Sequence, residues 1–334
     1  MRFMQCLREI GSEYWDIPIG KKENVLFGKD GFKDVKWYLS GRSALMAVIA
    51  SASFESVSLP SWCCDSMIKP FADAGKRIKF YPALTEIRNI ETDAVLVMDY
   101  FGFTGHSELH GYNGIVIRDL THSVFSRTYN DADYYFGSLR KWAGFYTGGF
   151  AFSHHGIMTV ENRNDEYVCD YISLREKAMK KKKLYICGES DDKDYLADFG
   201  KAEEFLDNYG IAAACHRDCE AAVMLDIEYI KRKRRENAKV LMKSLGSIAV
   251  FSEIGDDDCP MFVPVCVPDG KRDDLRRRLI QNAIYCPVHW PLSEYHQIDE
   301  EARKLYDNEL SLICDHRYGV DDMKRIVDVV SDYI

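Results

Sequence analysis

Four short strand-like runs, at residues 57–59, 77–81, 94–98 and 114–117, the third of them apolar throughout, constrain this chain more than anything else in it. Helix-compatible stretches separate the early ones, such as residues 66–74, which close on Gly75. Strands of this length, apolar almost throughout and alternating with helices, predict a largely parallel sheet buried on both faces. Ligands of such sheets bind outside the carboxyl ends of the strands. Asp99, Asp119, His122 and the turn from Pro60 to Cys64 all fall at such ends. A carboxylate directly after a buried strand must meet a cation or a donor, because leaving it unpaired is costly. For Asp99 and Asp119 a loop turn or a helix cap would satisfy that need as well as a ligand.

A second constraint is the stretch Tyr134-Tyr-Phe-Gly-Ser-Leu-Arg-Lys-Trp142, which leads to Gly148-Gly149 and a further apolar run at 150–152. It reads as strand, loop and strand, with Lys141 at the turn. By itself it fits a surface hairpin with solvated cations equally well. Upstream, Ser40-Gly41 breaks the chain before an apolar helix over 44–52, with Arg42 and Ser43 beside the break. The mouth of a helix offers free N–H groups and a positive end to an anion, although a plain cap is the commoner use of such residues.

Composition excludes several classes. The net charge of -9 gives no basic balance for nucleic acid. No run approaches the ~20 apolar residues of a membrane span, and the first residues are too short and too charged for a secretory signal. Eleven scattered cysteines point to reduced thiols in the cytoplasm. Cys215, His216 and Cys219 lack a second ligand pair nearby, so no metal is expected.

Beyond residue 155 the reading becomes mostly helical. Helices are expected over 166–184, with Lys180 to Lys183 as a solvated basic face, over 194–206, and as one long connector over 211–245. An α+β pattern follows: strands at 248–251, 261–267, 283–286 and 310–314, and helices at 271–281, 300–306 and 321–334. The expected organisation is a large domain over residues 1–240 and a small C-terminal α+β domain over 241–334. The N-terminal ~30 residues are expected to pack on the small domain.

Five segments, in this order, resemble the DegT/DnrJ/EryC1/StrS aminotransferase family, pyridoxal-phosphate (PLP) enzymes of fold type I. They are Ser40-Gly-Arg-Ser-Ala-Leu45; Leu59-Pro-Ser-Trp-Cys-Cys-Asp-Ser-Met67, running on to Gly75 and Phe80; Arg118-Asp-Leu-Thr-His-Ser123; Ser138-Leu-Arg-Lys-Trp142 with Gly148-Gly149; and Tyr285-Cys-Pro-Val-His-Trp290, followed by Leu310 to Asp315. The resemblance implies that Lys141 holds the cofactor and moves a proton, that Asp119 pairs with the pyridine nitrogen, and that His122 hydrogen-bonds the ring hydroxyl. It further implies that Gly41, Arg42, Ser43 and Ser138 cup the phosphate. Cys64 stands where relatives stack an aromatic ring; Trp62 or Trp142 is the expected substitute. His289 and Trp62 are candidates on the substrate side. Phe136 stands where relatives often have serine, and a Gly-Tyr-Asn segment of relatives has only a distant echo in Asn208-Tyr209-Gly210.

The implied activity is transfer of an amino group, from glutamate, to a nucleotide-linked keto-sugar in polysaccharide or secondary-metabolite biosynthesis. The implied assembly is a homodimer. Two other readings stay open: a PLP-dependent sugar dehydratase or another PLP reaction, and a non-catalytic ligand-binding protein of the same fold.

Overall fold

The computed structural model describes residues 9–127, 130–157, 166–207, 209–268 and 270–334. In chain order the elements begin with β1 (Ile10–Gly11), β2 (Lys36–Tyr38), α1 (Gly41–Ser51), β3 (Ser56–Pro60), α2 (Asp65–Asp73), β4 (Arg77–Tyr81) and β5 (Ala94–Met98). Then come β6 (Ile115–Asp119), β7 (Tyr134–Ser138), a 3₁₀ turn (Leu139–Lys141) and β8 (Gly149–Ser153). A helical half follows, with α3 (Glu166–Ile186), α4 (Tyr195–Asp207), α5 (His216–Val223) and α6 (Ile227–Leu245). The chain closes with β9 (Phe262–Cys266), α7 (Arg272–Gln281), β10 (Ile284–Tyr285), α8 (Glu300–Asn308), β11 (Glu309–Ile313) and α9 (Val320–Ser331).

A sheet of seven strands runs in the order β2-β8-β7-β6-β5-β3-β4. The pairs from β7 to β4 are parallel, while β8 is antiparallel to both its neighbours. Every residue of β3, β5 and β7 is buried, as expected of strands covered on both faces. Helix α1 turns Ala44, Leu45, Ala47, Val48 and Ile49 into this core, packing on β7 and β8. The predicted strand–turn–strand around Lys141 is β7, the 3₁₀ turn and β8, with Ser138 opposite Gly149.

A second core gathers Leu241, Val263, Val265, Leu275, Leu279, Leu312 and Ile326 from α6, β9, α7, β11 and α9. Strand β1 adds to this unit by pairing parallel to β10. Its Gly11 N–H donates to the Tyr318 hydroxyl at 2.8 Å. Arg317 donates to the carbonyls of Ser12 and Glu13 at 3.1 and 2.9 Å.

Two expectations fail locally. The long helix predicted over 211–245 is two helices, α5 and α6. Asp226 ends the run by capping α6, accepting from the Tyr229 N–H at 3.0 Å. Asn24 holds the break open by donating to the carbonyls of Ala222, Val223 and Leu225. The strand expected at 248–251 reduces to one bridge, Ala249 to Val265.

The two cores meet at Phe101-Gly102, where both residues have positive φ (53° and 82°). Phe101 O accepts from the Met261 N–H at 2.7 Å, and Gly102 O accepts from Cys259 N–H and the Ser126 hydroxyl. A Cβ on Gly102 would run into the Cys259 carbonyl. Gly102→Ala should therefore cost about 3 kcal/mol or more, read as a lowered denaturant midpoint. Retention of wild-type stability would show that this seam yields.

Candidate active site

The carboxyl ends of β6 and β7 and the N-terminus of α1 converge on a cavity of about 240 Å³. Asp119 is the last residue of β6 and Ser138 the last of β7; Lys141 follows on the turn and is exposed. Lys141, Asp119, His122, Gly41, Arg42, Cys64, Ser138 and His289 all line this cavity. Ser43 and Trp62 do not, and Trp142 is absent from the wall too.

The reasons are specific. The Ser43 hydroxyl is used up in a bond to Gly210 O at 2.8 Å, and its N–H goes to the Ser40 hydroxyl at 3.1 Å. Ser40, its helix-capping neighbour, is the serine that reaches the wall. Trp62 is fully buried, stacked on Tyr100 at 4.9 Å and donating to His289 O at 2.9 Å. Trp142 is buried between Phe125 and Arg234 and donates to Thr121 O at 2.8 Å. The tryptophan on the wall is Trp290, a residue quoted in the sequence segment but not singled out; Phe136 lines the cavity as well. It stacks on His122 (5.7 Å, 18°) and on Phe101 (5.9 Å, 16°). Trp62 supports Trp290 from behind, edge to face at 5.5 Å.

Asp119 accepts from the Thr121 N–H at 2.7 Å, yet burial pushes its carboxyl up to about 6. A carboxyl in that condition gains most from a positively charged partner. Asp99, by contrast, is already matched by Arg118 at 3.3 Å and lies outside the cavity. His122 is held far below its ordinary value by burial, then by His289 and Lys141, so it stays neutral at physiological pH. Its Nδ1 accepts from the Phe101 N–H at 3.4 Å, which leaves the proton on Nε2. His289 Nδ1 lies 2.8 Å from the Ser311 hydroxyl, and the His289 backbone N–H donates to the Glu309 carboxylate at 2.7 Å. Burial raises the Cys64 thiol, whose Sγ is 3.0 Å from the Ser66 hydroxyl. It is therefore a small neutral wall residue and not a nucleophile.

The mouth of α1 fits an anion. A side chain at Gly41 would place its Cβ 3.0 Å from the Ser138 Cβ and fill the gap between helix and strand. Arg42 reaches outward: Nη1 donates to Leu206 O and pairs with Asp207, both at 2.9 Å, while its buried Nε has no partner among the described residues. A second cavity, of about 470 Å³, shares His122, Lys141 and His289 with the first. Its far wall carries Glu9, Glu13, Lys193, Tyr285, Asp315 and Arg317. The lysine thus borders both chambers. Among the described residues there is no metal-binding group of three ligands and no helix long and apolar enough to cross a membrane. Of the Asn208-Tyr209-Gly210 echo, Asn208 lies outside the described residues.

No protein-family model matches the chain, and no curated protein does. Solved structures do. A DegT/DnrJ/EryC1/StrS aminotransferase from Brucella abortus is 15% identical, with a TM-score of 0.58 over 90% of this chain and 86% of that one. PseC from Helicobacter pylori, an aminotransferase of pseudoaminic acid biosynthesis, is 14% identical, with a TM-score of 0.59 over 96% and 99%. The PLP form of the sugar aminotransferase Spr1654 from Streptococcus pneumoniae is 12% identical, with a TM-score of 0.59 over 91% and 88%. The architecture is thus that of fold type I transferases. Within that class, the chain has the fold of the DegT/DnrJ/EryC1/StrS aminotransferases.

Proposed function

We propose that this protein is a PLP-dependent aminotransferase acting on a keto-sugar. One observation carries the reading: Lys141, the buried carboxyl of Asp119 and the glycine mouth of α1 border one cavity of about 240 Å³. Chance placement gives no reason for an amine, an ill-satisfied acid and an anion cradle to share a wall. Among the structures alike in fold, Spr1654 is described as a sugar aminotransferase, in a PLP form, and PseC as an aminotransferase of pseudoaminic acid biosynthesis.

The residues divide the work. Ser40, Gly41 and Ser138, with the first N–H groups of α1, would hold the phosphate. Asp119 would hold a proton on the pyridine nitrogen, relieving its own charge in a buried place. His122 would donate from Nε2 to the ring hydroxyl, and Trp290 and Cys64 would border the ring. When bound, the cofactor supplies the electron sink that lets a C–H bond beside an amine break. Lys141 Nζ takes and returns that proton. The 470 Å³ chamber would receive the amino donor and the keto-sugar in turn, with His289 at its junction with the cofactor side. Glutamate as donor, a nucleotide-linked sugar as acceptor, a homodimer and a cytoplasmic site of action belong to the same reading.

The test is the visible absorption of the protein purified with PLP. A band that glutamate removes and a keto acid restores supports transamination. A band indifferent to any amino donor would move the reading to another PLP reaction, and no band would overturn it. Gly41→Ala gives a finer check. Its Cβ narrows the phosphate cradle without straining an ordinary helical φ, so PLP affinity should fall about tenfold at unchanged thermal stability. Equal affinity would place the phosphate elsewhere.

A further inference from the structure

Glu203 lies on α4, far from the lysine loop in sequence. Its half-exposed carboxylate pairs with Arg140, the residue immediately before Lys141. Arg175 of α3, only 2% exposed, stands 3.6 Å from the same carboxylate and 3.5 Å from Glu13. Arg175 is fixed in turn. Its Nη2 donates to Phe145 O at 3.4 Å, and its guanidinium lies over the Phe199 ring at 4.8 Å. The Tyr171 hydroxyl donates to Tyr146 O at 2.7 Å. Helices α3 and α4 therefore grip the lysine loop on both sides: Arg140 before Lys141, Phe145 and Tyr146 after it.

Glu203 also reaches the cavity wall with Lys141. Burial would raise its carboxyl, but Arg140, Arg175 and Lys141 outweigh it and hold the group below its ordinary value. It is ionised at neutral pH. The ionisable groups that share the cavity wall with the lysine are then Asp119, His122, Cys64, His289, Arg42, Arg140 and Glu203. Two of these are carboxylates, on opposite sides of the chain's topology.

We propose that Glu203 is a positioning residue for Lys141: held between Arg140 and Arg175, it fixes the turn that carries the lysine and supplies a second negative charge beside its amine. The inference rests on the role proposed above for Lys141. Without Glu203 the amine loses that anion, Arg140 loses its carboxylate partner, and Arg175 is left with Glu13. The turn also loses its tie to α4.

The experiment is acetylation of the full-length, cofactor-free protein by acetic anhydride at neutral pH, with the rate at each lysine read by mass spectrometry. Glu203→Gln should raise the Lys141 rate about threefold or more, while Lys79, on the far edge of the sheet, stays constant. In an Arg140→Met background the same substitution should change the rate less, because the hold on the turn through Arg140 is already lost and only the charge remains to be removed. Glu203→Asp keeps the charge but withdraws it by one methylene, and should give an intermediate rise; it serves as well if the glutamine variant folds poorly. An unchanged Lys141 rate in the single variants would overturn the proposal, as would an undiminished effect in the Arg140→Met background. If the wild-type protein binds no PLP, the functional reading fails, yet the rate ratio still decides what Glu203 does to Lys141.

Discussion

Lys141→Ala should abolish the visible band of PLP-loaded protein and lower amino transfer from glutamate by about 10³-fold or more. The expected size follows from the arrangement. Lys141 is the amine bordering both chambers, so no neighbour can take over its proton transfer. Arg140 cannot, because a guanidinium keeps its proton and is bound to Glu203. Stability should change by less than about 0.5 kcal/mol, because the side chain is exposed and its loop is fixed by other residues. The turn is held by Leu139 N–H to Gly148 O at 2.8 Å and Trp142 N–H to Leu139 O at 2.9 Å. Single-turnover absorbance with glutamate measures the first effect and urea unfolding the second. Transfer within tenfold of wild type would remove Lys141 from the chemistry.

The second large effect has opposite signs for function and stability. The Asp119 carboxyl is buried and pushed up to about 6. Above that value the cofactor-free native chain holds a charge in a site that disfavours it, whereas the unfolded chain holds the same charge in water. The penalty is therefore fully present at pH 7. It shrinks as pH falls through the folded value and is gone below the ordinary carboxylate value, where both states are neutral. Asp119→Asn should then stabilise the cofactor-free protein by as much as about 3 kcal/mol at pH 7 and by about 1 kcal/mol at pH 4.5. The amide oxygen can still accept from the Thr121 N–H. The same variant should lower turnover by about 10²-fold or more, because an amide cannot hold a proton on the pyridine nitrogen. Urea melts at the two pH values and steady-state assays measure both. A variant less stable at both pH values would mean that the carboxylate is well accommodated without the cofactor.

Much of this site could be read from the sequence because its residues sit at strand ends. Strand identity follows from unbroken apolar runs, and the polar residue that stops each run marks the edge where ligands bind. Asp119 follows from this reading, and the sheet with it; Lys141 follows from the strand–turn–strand around it, and the parts of Lys141 and Ser138 from the family resemblance. Trp290, Phe101 and Glu203 were not. Their place depends on how the second core docks and on how α4 packs back, and no local period encodes a contact between residues so far apart. Trp62 and Trp142 misled because a tryptophan near the right loop says nothing about which way the ring turns; both turn into the core and donate to backbone carbonyls. Ser43 gave way to Ser40 by the rotation of a single helical turn. The break in the long helix at Asp226 was written in a good capping residue, hidden by the apolar period running across it.

Strand β1 has a consequence for synthesis of the chain. During translation the seven-stranded sheet is complete once β8 has emerged, with Asp119, Ser138 and Lys141 already in register. The partner of β1, Ile284–Tyr285, and the Tyr318 hydroxyl that grips Gly11 leave the ribosome much later. Strand β1 thus cannot dock until they have been made. Until then the lysine side of the site stands open, and the chamber walled by Glu9, Glu13 and Arg317 is assembled by joining segments far apart along the nascent polypeptide.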